Sequence, residues 1–249
     1  MPILYKNMSK QALKFSNVSK EFAFQEDRTI KDIIPSLFSG KGWARKHLVF
    51  SNMNFEINQG ETVGIVGKNG AGKSTLLKLI AGVTKPSTGE VAVTGRVAPV
   101  IELTAGFHHE LTGLENIYLN AAILGLHKAE VEERLDAIIE FSELSEFINV
   151  PVKKYSTGMF MRLGFSIAIQ MDAPIILLDE VLAVGDADFQ EKCLVYLEGI
   201  KKAKDKTIIF VSHDEESVSR FCDRALLIHD KKLLTDDTPR KIFKQYNAL

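Results

Sequence analysis

Several broad classes are excluded by what this sequence lacks. Among 249 residues there are only two cysteines, Cys193 and Cys222. They show neither CxxC nor Cys/His spacing, so no disulfide framework or cysteine metal pattern is indicated and a reduced cytosol fits best. Nowhere do 18 apolar residues run together, so no membrane-spanning helix is expected. The first residues, MPILYKNMSKQALKF, have no continuous apolar stretch and no small-residue cleavage site of a secretion signal. Charge of one sign is also lacking: 31 basic residues against 32 acidic leave a net charge of −1. No global field therefore draws the chain to nucleic acid or an anionic membrane, and binding must be local. Internal repeats, low-complexity tracts and long Gly/Ser linkers are missing, which leaves no sign of a second tandem domain.

What is present is a chain long enough to bury a full core, and its pattern is that of one large α/β domain with a helical subdomain. Residues 11 to 24 and 48 to 57 alternate apolar and polar positions between polar turns, which predicts antiparallel strands. Between them an insert, residues 25 to 47, has another character. Ile30, Ile33, Ile34, Leu37 and Phe38 fall at helical spacing, and Trp43 and the basic run Arg45-Lys46-His47 follow. Pro35 limits this to short or kinked helical pieces. From residue 61 apolar strand patterns (ETVGIVG, IILLD, TIIFVSH, RALLIH) alternate with helical ones, which implies a parallel sheet with crossovers. GEVAVTGRVAPVIE reads as a short strand pair, and the final helix is expected to begin near Pro239. Residues of about 105 to 170 interrupt the alternation and read as an inserted helical subdomain, with helices over LTGLENIYLNAAILG, AEVEERLDAIIEFSEL and MFMRLGFSIAIQM.

Four stretches carry chemistry. Residues 67 to 75, GKNGAGKST, match G-x-x-x-x-G-K-[ST] between a strand and a helix. Gly67, Gly70 and Gly72 let the loop, with Lys68, Asn69 and Ala71, curl its N–H groups toward phosphate oxygens. Lys73 then reaches the β and γ phosphates, Ser74 offers a hydroxyl to Mg²⁺, and Thr75 follows in the same turn. The apolar run IILLDE, 175 to 180, ends in two carboxylates. Beside a phosphate loop Asp179 is expected to hold Mg²⁺ through water, and Glu180 to act as general base or orient the attacking water. His213 ends TIIFVSH, where the catalytic groups of open α/β sheets gather, and a γ-phosphate contact is expected of it. Finally, YSTGM (155 to 159) sets a turn-prone Ser156-Thr157-Gly158 before an apolar helix. Such a helix start is an anion site or an ordinary N-cap.

In this order and approximate spacing, together with AVGD (183 to 186) and SHD (212 to 214), these motifs resemble the ATP-binding subunits of ABC transporters over essentially the whole chain. The resemblance implies a P-loop NTPase fold of the ABC ATPase kind over residues 1 to 249, with a mixed sheet, an antiparallel β subdomain and an inserted helical subdomain. It implies that Ser156, Thr157 and Gly158, in YSTGM where many members have LSGGQ, bind the γ phosphate of ATP held on a second copy's phosphate loop. A head-to-tail homodimer would form on ATP binding, with Asp186 crossing the interface. Two departures stand out. Glu102 occupies the place of a glutamine that touches Mg²⁺; glutamate remains an oxygen ligand but adds negative charge beside the phosphates. The adenine-stacking aromatic, usually a tyrosine, would be Phe22, with Phe24 in reserve, and either could instead be core.

VIELTAGFHHELTGLENIYLNAAILGL, EVLAVGD and the 25 to 47 insert are similar to the ATPases of polysaccharide exporters, of the O-antigen lipopolysaccharide type and its teichoic acid relatives. This implies a peripheral ATPase at the cytoplasmic face of the inner membrane, working with two copies of a separate permease through which the polysaccharide passes, and no nucleic acid partner. Some members add a C-terminal carbohydrate-binding domain. None is expected in this chain, which either is of a type without it or is trimmed. The apolar face of residues 30 to 38 is expected either to dock on the membrane partner or lipid interface, or to pack on its own domain.

Overall fold

The computed structural model describes residues 11–25, 44–100, 106–171, 173–179 and 185–249. The insert lies almost wholly outside them, as do Glu102 and Glu180 and the side chain of Phe24. Strands β1 (Gln11–Gln25) and β2 (Ala44–Asn58) pair antiparallel along their length, and β4 (Thr88–Val93) takes the other edge of β1. Alternation puts Leu13 and Phe15 of β1 and Phe55 and Ile57 of β2 on one buried face, where the Phe15 and Phe55 rings stack with centroids 4.5 Å apart.

The second sheet has the order β5-β6-β7-β3-β8-β9. β5 (Val97–Pro99), β6 (Ile175–Asp179), β7 (Thr207–Val211), β3 (Thr62–Val66) and β8 (Arg224–His229) are parallel, and β9 (Lys232–Asp237) closes the sheet antiparallel to β8. The central strands β3, β6 and β7 are apolar apart from Thr62, Thr207 and Asp179 at their ends, as expected where both faces are covered. Ile65, Leu177 and Ile209 point into one core with β1, β2 and helix α1 (Lys73–Ile80). Val66, Ile176, Leu178 and Phe210 point into another, covered by α5 (Thr157–Gln170), α6 (Ala187–Ala203), α7 (Glu215–Phe221) and α8 (Pro239–Tyr246).

A third apolar cluster belongs to the helices between β5 and β6: α2 (Gly113–Ile123), α3 (Lys128–Glu132), α4 (Leu135–Ser142) and α5. Helix α5 serves two cores at once. Leu163 and Ile167 face the helical cluster, while Phe165, Ala168 and Ile169 face the sheet, the division that a 3.6-residue period imposes.

Four expectations are corrected. The strand patterns on either side of Gly95 do not pair with each other; β4 joins the antiparallel sheet and β5 the parallel one. The single helix expected over 129 to 144 is two, broken at Arg134. Residues 44 to 47 are not insert but the start of β2, so the connection between the first two strands is 26–43. Strand β9 was not anticipated, because KLLTDD has only a weak alternation and lies on the sheet edge.

Cys193 and Cys222 are free and buried, and burial pushes both thiols up to about 12. Leu177, fully buried in the centre of β6, anchors the first core. Leu177→Ala is expected to cost about 2–5 kcal/mol, read from the urea midpoint at unchanged slope.

Candidate functional site

The parallel sheet brings three strand ends together on its carboxyl side. Asp179, the last residue of β6, is in register with Val211 of β7, which in turn is in register with Ile65 of β3. The carboxyl ends of β6, β7 and β3 are therefore level and adjacent, and each is followed at once by polar residues: Glu180, Ser212-His213, and the phosphate loop.

Glycine shapes that loop. Gly72 has φ 96 and would, with a Cβ, place it 2.6 Å from Val49 Cγ1 of β2; a Cβ on Gly67 would sit 2.7 Å from the Ile228 carbonyl oxygen. Neither close approach nor left-handed backbone is open to a larger residue. The loop delivers Lys73 as the first residue of α1, 9% exposed, with Nζ donating to the Gly67 carbonyl at 2.7 Å. The cation is thus held inside the loop at the N-terminus of a helix, where amide N–H groups and the helix dipole already favour an anion.

A pocket of about 330 Å³ is lined by Asn69, Gly70, Gly72, Lys73, Ser74, Thr75 and Asp179. The structure thus brings the loop and the carboxylate of β6 to one cavity, although they are more than a hundred residues apart in sequence. The Ser74 and Thr75 hydroxyls and the Asp179 carboxylate that line it are hard donors that suit Mg²⁺, which takes few protein ligands and completes its shell with water and phosphate. His213 is exposed just beyond β7, and next to it Asp214 caps α7 by accepting from the Ser217 N–H at 2.7 Å. The Ser217 side-chain and backbone bonds hold the Asp214 carboxyl below its ordinary range.

Phe22 is 38% exposed, so it is not a core residue. The Lys20 ammonium lies 4.6 Å from its ring centroid, itself held by the Thr84 hydroxyl and the Lys85 carbonyl.

Ser156, Thr157 and Gly158 do not line that pocket. They start α5, and Ser156 Oγ accepts from the Met159 N–H at 3.2 Å. The ordinary N-cap is therefore made, and it leaves the other first-turn N–H groups of α5 without intrahelical partners. Nearby, Asp186 caps α6 through the Phe189 N–H at 3.1 Å and pairs with Arg162. The Phe189 N–H, against an opposing effect of burial, and then Arg162 hold its carboxyl below the usual range.

Residues 50–183 match the ABC transporter family. This chain belongs to the ABC transporter family. Within it, the chain is 47% identical to the O-antigen export system ATP-binding protein RfbB of Klebsiella pneumoniae, covering 94% of this chain and 96% of that one. It is 42% identical to the teichoic acids export ATP-binding protein TagH of Bacillus cereus over 87% of this chain, but over 39% of that longer protein. Among solved structures, this ABC chain is similar to the dimeric post-hydrolysis state of the ATP-binding cassette MJ0796 bound to ADP and Pi, at TM-score 0.72 and 25% identity, covering 92% and 99% of the two chains. An ATP-binding subunit of an ABC transporter shares the fold at TM-score 0.73 and 24% identity.

Two features of this ABC chain escaped sequence reasoning. Asn116 is fully buried in α2, and its side-chain amide binds the His108 N–H and the His108 and Thr112 carbonyls, which pins the 108–112 turn. Arg162 ties α5 to Glu143 and Asp186. The signal for Arg162 was a lone cation inside the apolar run MFMRLGF; Asn116 had none.

Proposed function

We propose that this chain is the ATP-hydrolysing subunit of an exporter of a lipid-linked polysaccharide, with O-antigen as cargo. The observation that carries it is the meeting of Lys73, Ser74 and Asp179 in one pocket, in a chain that matches an O-antigen export ATP-binding protein over nearly its whole length. Teichoic acid is the second reading. It has the support of 42% identity to TagH, but that match reaches only 39% of the relative.

In this reading the loop amides and Lys73 bind the β and γ phosphates, and Phe22 stacks on adenine by its exposed side. Ser74, Asp179 and Glu102 hold Mg²⁺, which when bound neutralises phosphate charge. Glu180 takes a proton from the attacking water as its oxygen adds to the γ phosphorus and the ADP oxygen leaves, and His213 steadies the γ phosphate. Ser156, Thr157 and Gly158 of a second copy close over the same ATP, so the chain works as a head-to-tail dimer. A nearby dimeric relative with bound ADP and Pi supports that arrangement. Among the described residues no helix is long and apolar enough to cross a membrane. In this reading, which the export-system name of the Klebsiella relative supports, the subunit acts peripherally at the cytoplasmic face of the inner membrane on two copies of a separate permease.

The test is to tag the Glu180→Gln chain, trap it with ATP in its native cell and identify by mass spectrometry what accompanies it from mild detergent. A polytopic permease encoded beside glycan-assembly enzymes is the expected companion. Recovery of ribosomal or DNA-repair proteins alone would mean a soluble non-transport ATPase.

A further inference from the structure

Arg162 lies in the second turn of α5, and its guanidinium is shared between two carboxylates. Nη1 donates to Glu143 at 2.8 Å, Nη2 donates to Asp186 at 2.5 Å, and the planar group lies 4.9 Å from the Phe189 ring centroid. Glu143 caps α4 in the left-handed region, φ 58, and accepts a second cation, Lys192 of α6, at 2.9 Å. Lys192, Glu143, Arg162 and Asp186 thus form a run of alternating charge that joins α4, α5 and the turn before α6. The turn is packed close. A Cβ on Gly185 would lie 3.3 Å from Arg162 Nε, and one on Gly158 3.9 Å from the Gly185 Cα.

Magnitude decides what this run is for. Glu143 and Asp186 have side chains 48% and 62% exposed, and pairs so open to water add little stability. Geometry is what they supply. Arg162 lies on α5 between the face turned to the helical cluster and the face turned to the sheet core, and apolar contacts alone tolerate small rotations at such a seam. A planar fork that binds two carboxylates at once does not.

We infer that Arg162 is a positioning residue for the ATPase reaction: by holding Asp186 and Glu143 together, it keeps the 185–186 turn seated against the Ser156–Gly158 helix start. The two loops then meet the ATP of a second copy as one surface. This rests on the function proposed above. The phosphate loop lies elsewhere, so the first binding of ATP does not depend on Arg162.

The test uses Arg162→Met, which keeps an unbranched side chain but not the guanidinium, Arg162→Lys, and Asp186→Asn, which keeps the N-cap acceptor but not the charge. For Arg162→Met the kcat is expected to fall about tenfold, with equilibrium ATP affinity and Tm unchanged. Arg162→Lys should recover part of the loss. Asp186→Asn should match Arg162→Met, and the double variant should be no worse than either. A wild-type kcat in Arg162→Met, a Tm that falls with kcat, or losses that multiply in the double variant would each overturn the inference. A wild-type chain without ATP turnover would strike the functional reading itself, whereas normal turnover unaffected by Arg162→Met overturns this inference alone.

Discussion

Lys73→Ala is expected to lose ATP turnover by at least about a hundredfold, and with it ATP-dependent dimerisation. The side chain is nearly buried and its ammonium is held by the Gly67 carbonyl inside the loop. Among the described residues lining the pocket, Lys73 alone supplies a full positive charge against Asp179 and an incoming triphosphate. Phosphoryl transfer gives the protein little covalent work, so catalysis is positioning and charge stabilisation, and the loss of the Lys73 ammonium is expected to fall on binding and rate together. Equilibrium titration with ATP and steady-state turnover check both parts. Wild-type affinity in a folded variant would remove Lys73 from the phosphate site. Folding should survive, because Lys73 is not part of the apolar clusters and α1 retains Leu76, Leu77, Leu79 and Ile80 in the core.

Glu180→Gln should separate what Lys73→Ala joins. The amide keeps the size and hydrogen-bonding ability of the carboxylate but cannot accept the proton of the attacking water. A fall in kcat of about 10²–10⁴-fold is expected, with ATP affinity retained. Since hydrolysis releases the dimer in the proposed cycle, ATP-bound Glu180→Gln should accumulate as a dimer on size exclusion, a population shift driven by the undischarged ligand. Lys73→Ala should remain a monomer under the same conditions. Near-normal turnover in Glu180→Gln would take the base role from Glu180 and pass it to another group at that sheet edge.

Much of the architecture was legible because the chemistry is local in sequence. GKNGAGKST carries its own turn, helix start and cation within nine residues, and no packing is needed to recognise them. The buried strands IILLD and TIIFV read correctly because a run apolar on both faces, four or five residues long, has little else to be in an α/β chain. The capping role of Ser156 was likewise in the letters, since a hydroxyl before an apolar helix satisfies an N–H that would otherwise stay open.

What the letters could not carry was the partner of each element. The patterns around Gly95 announce two strands, yet the choice to send β4 to β1 and β5 to β6 rests on sheets assembled from residues far away in the chain. The residue at which β2 begins was likewise set by pairing, Phe22 with His47 and Gln25 with Ala44, rather than by its own sequence, whose charged start looks like a loop. Asp179 and Lys73 share a pocket only because β7 separates β6 from β3 by a single strand. Arg162 found two carboxylates from two other helices because α5 is packed at their junction. By itself the sequence determined which residues form the glycine loop, turn and cap, since those follow from near neighbours and side-chain chemistry. The tertiary structure alone decided which strands are neighbours and which charges meet, since burial and pairing are settled by the whole chain at once.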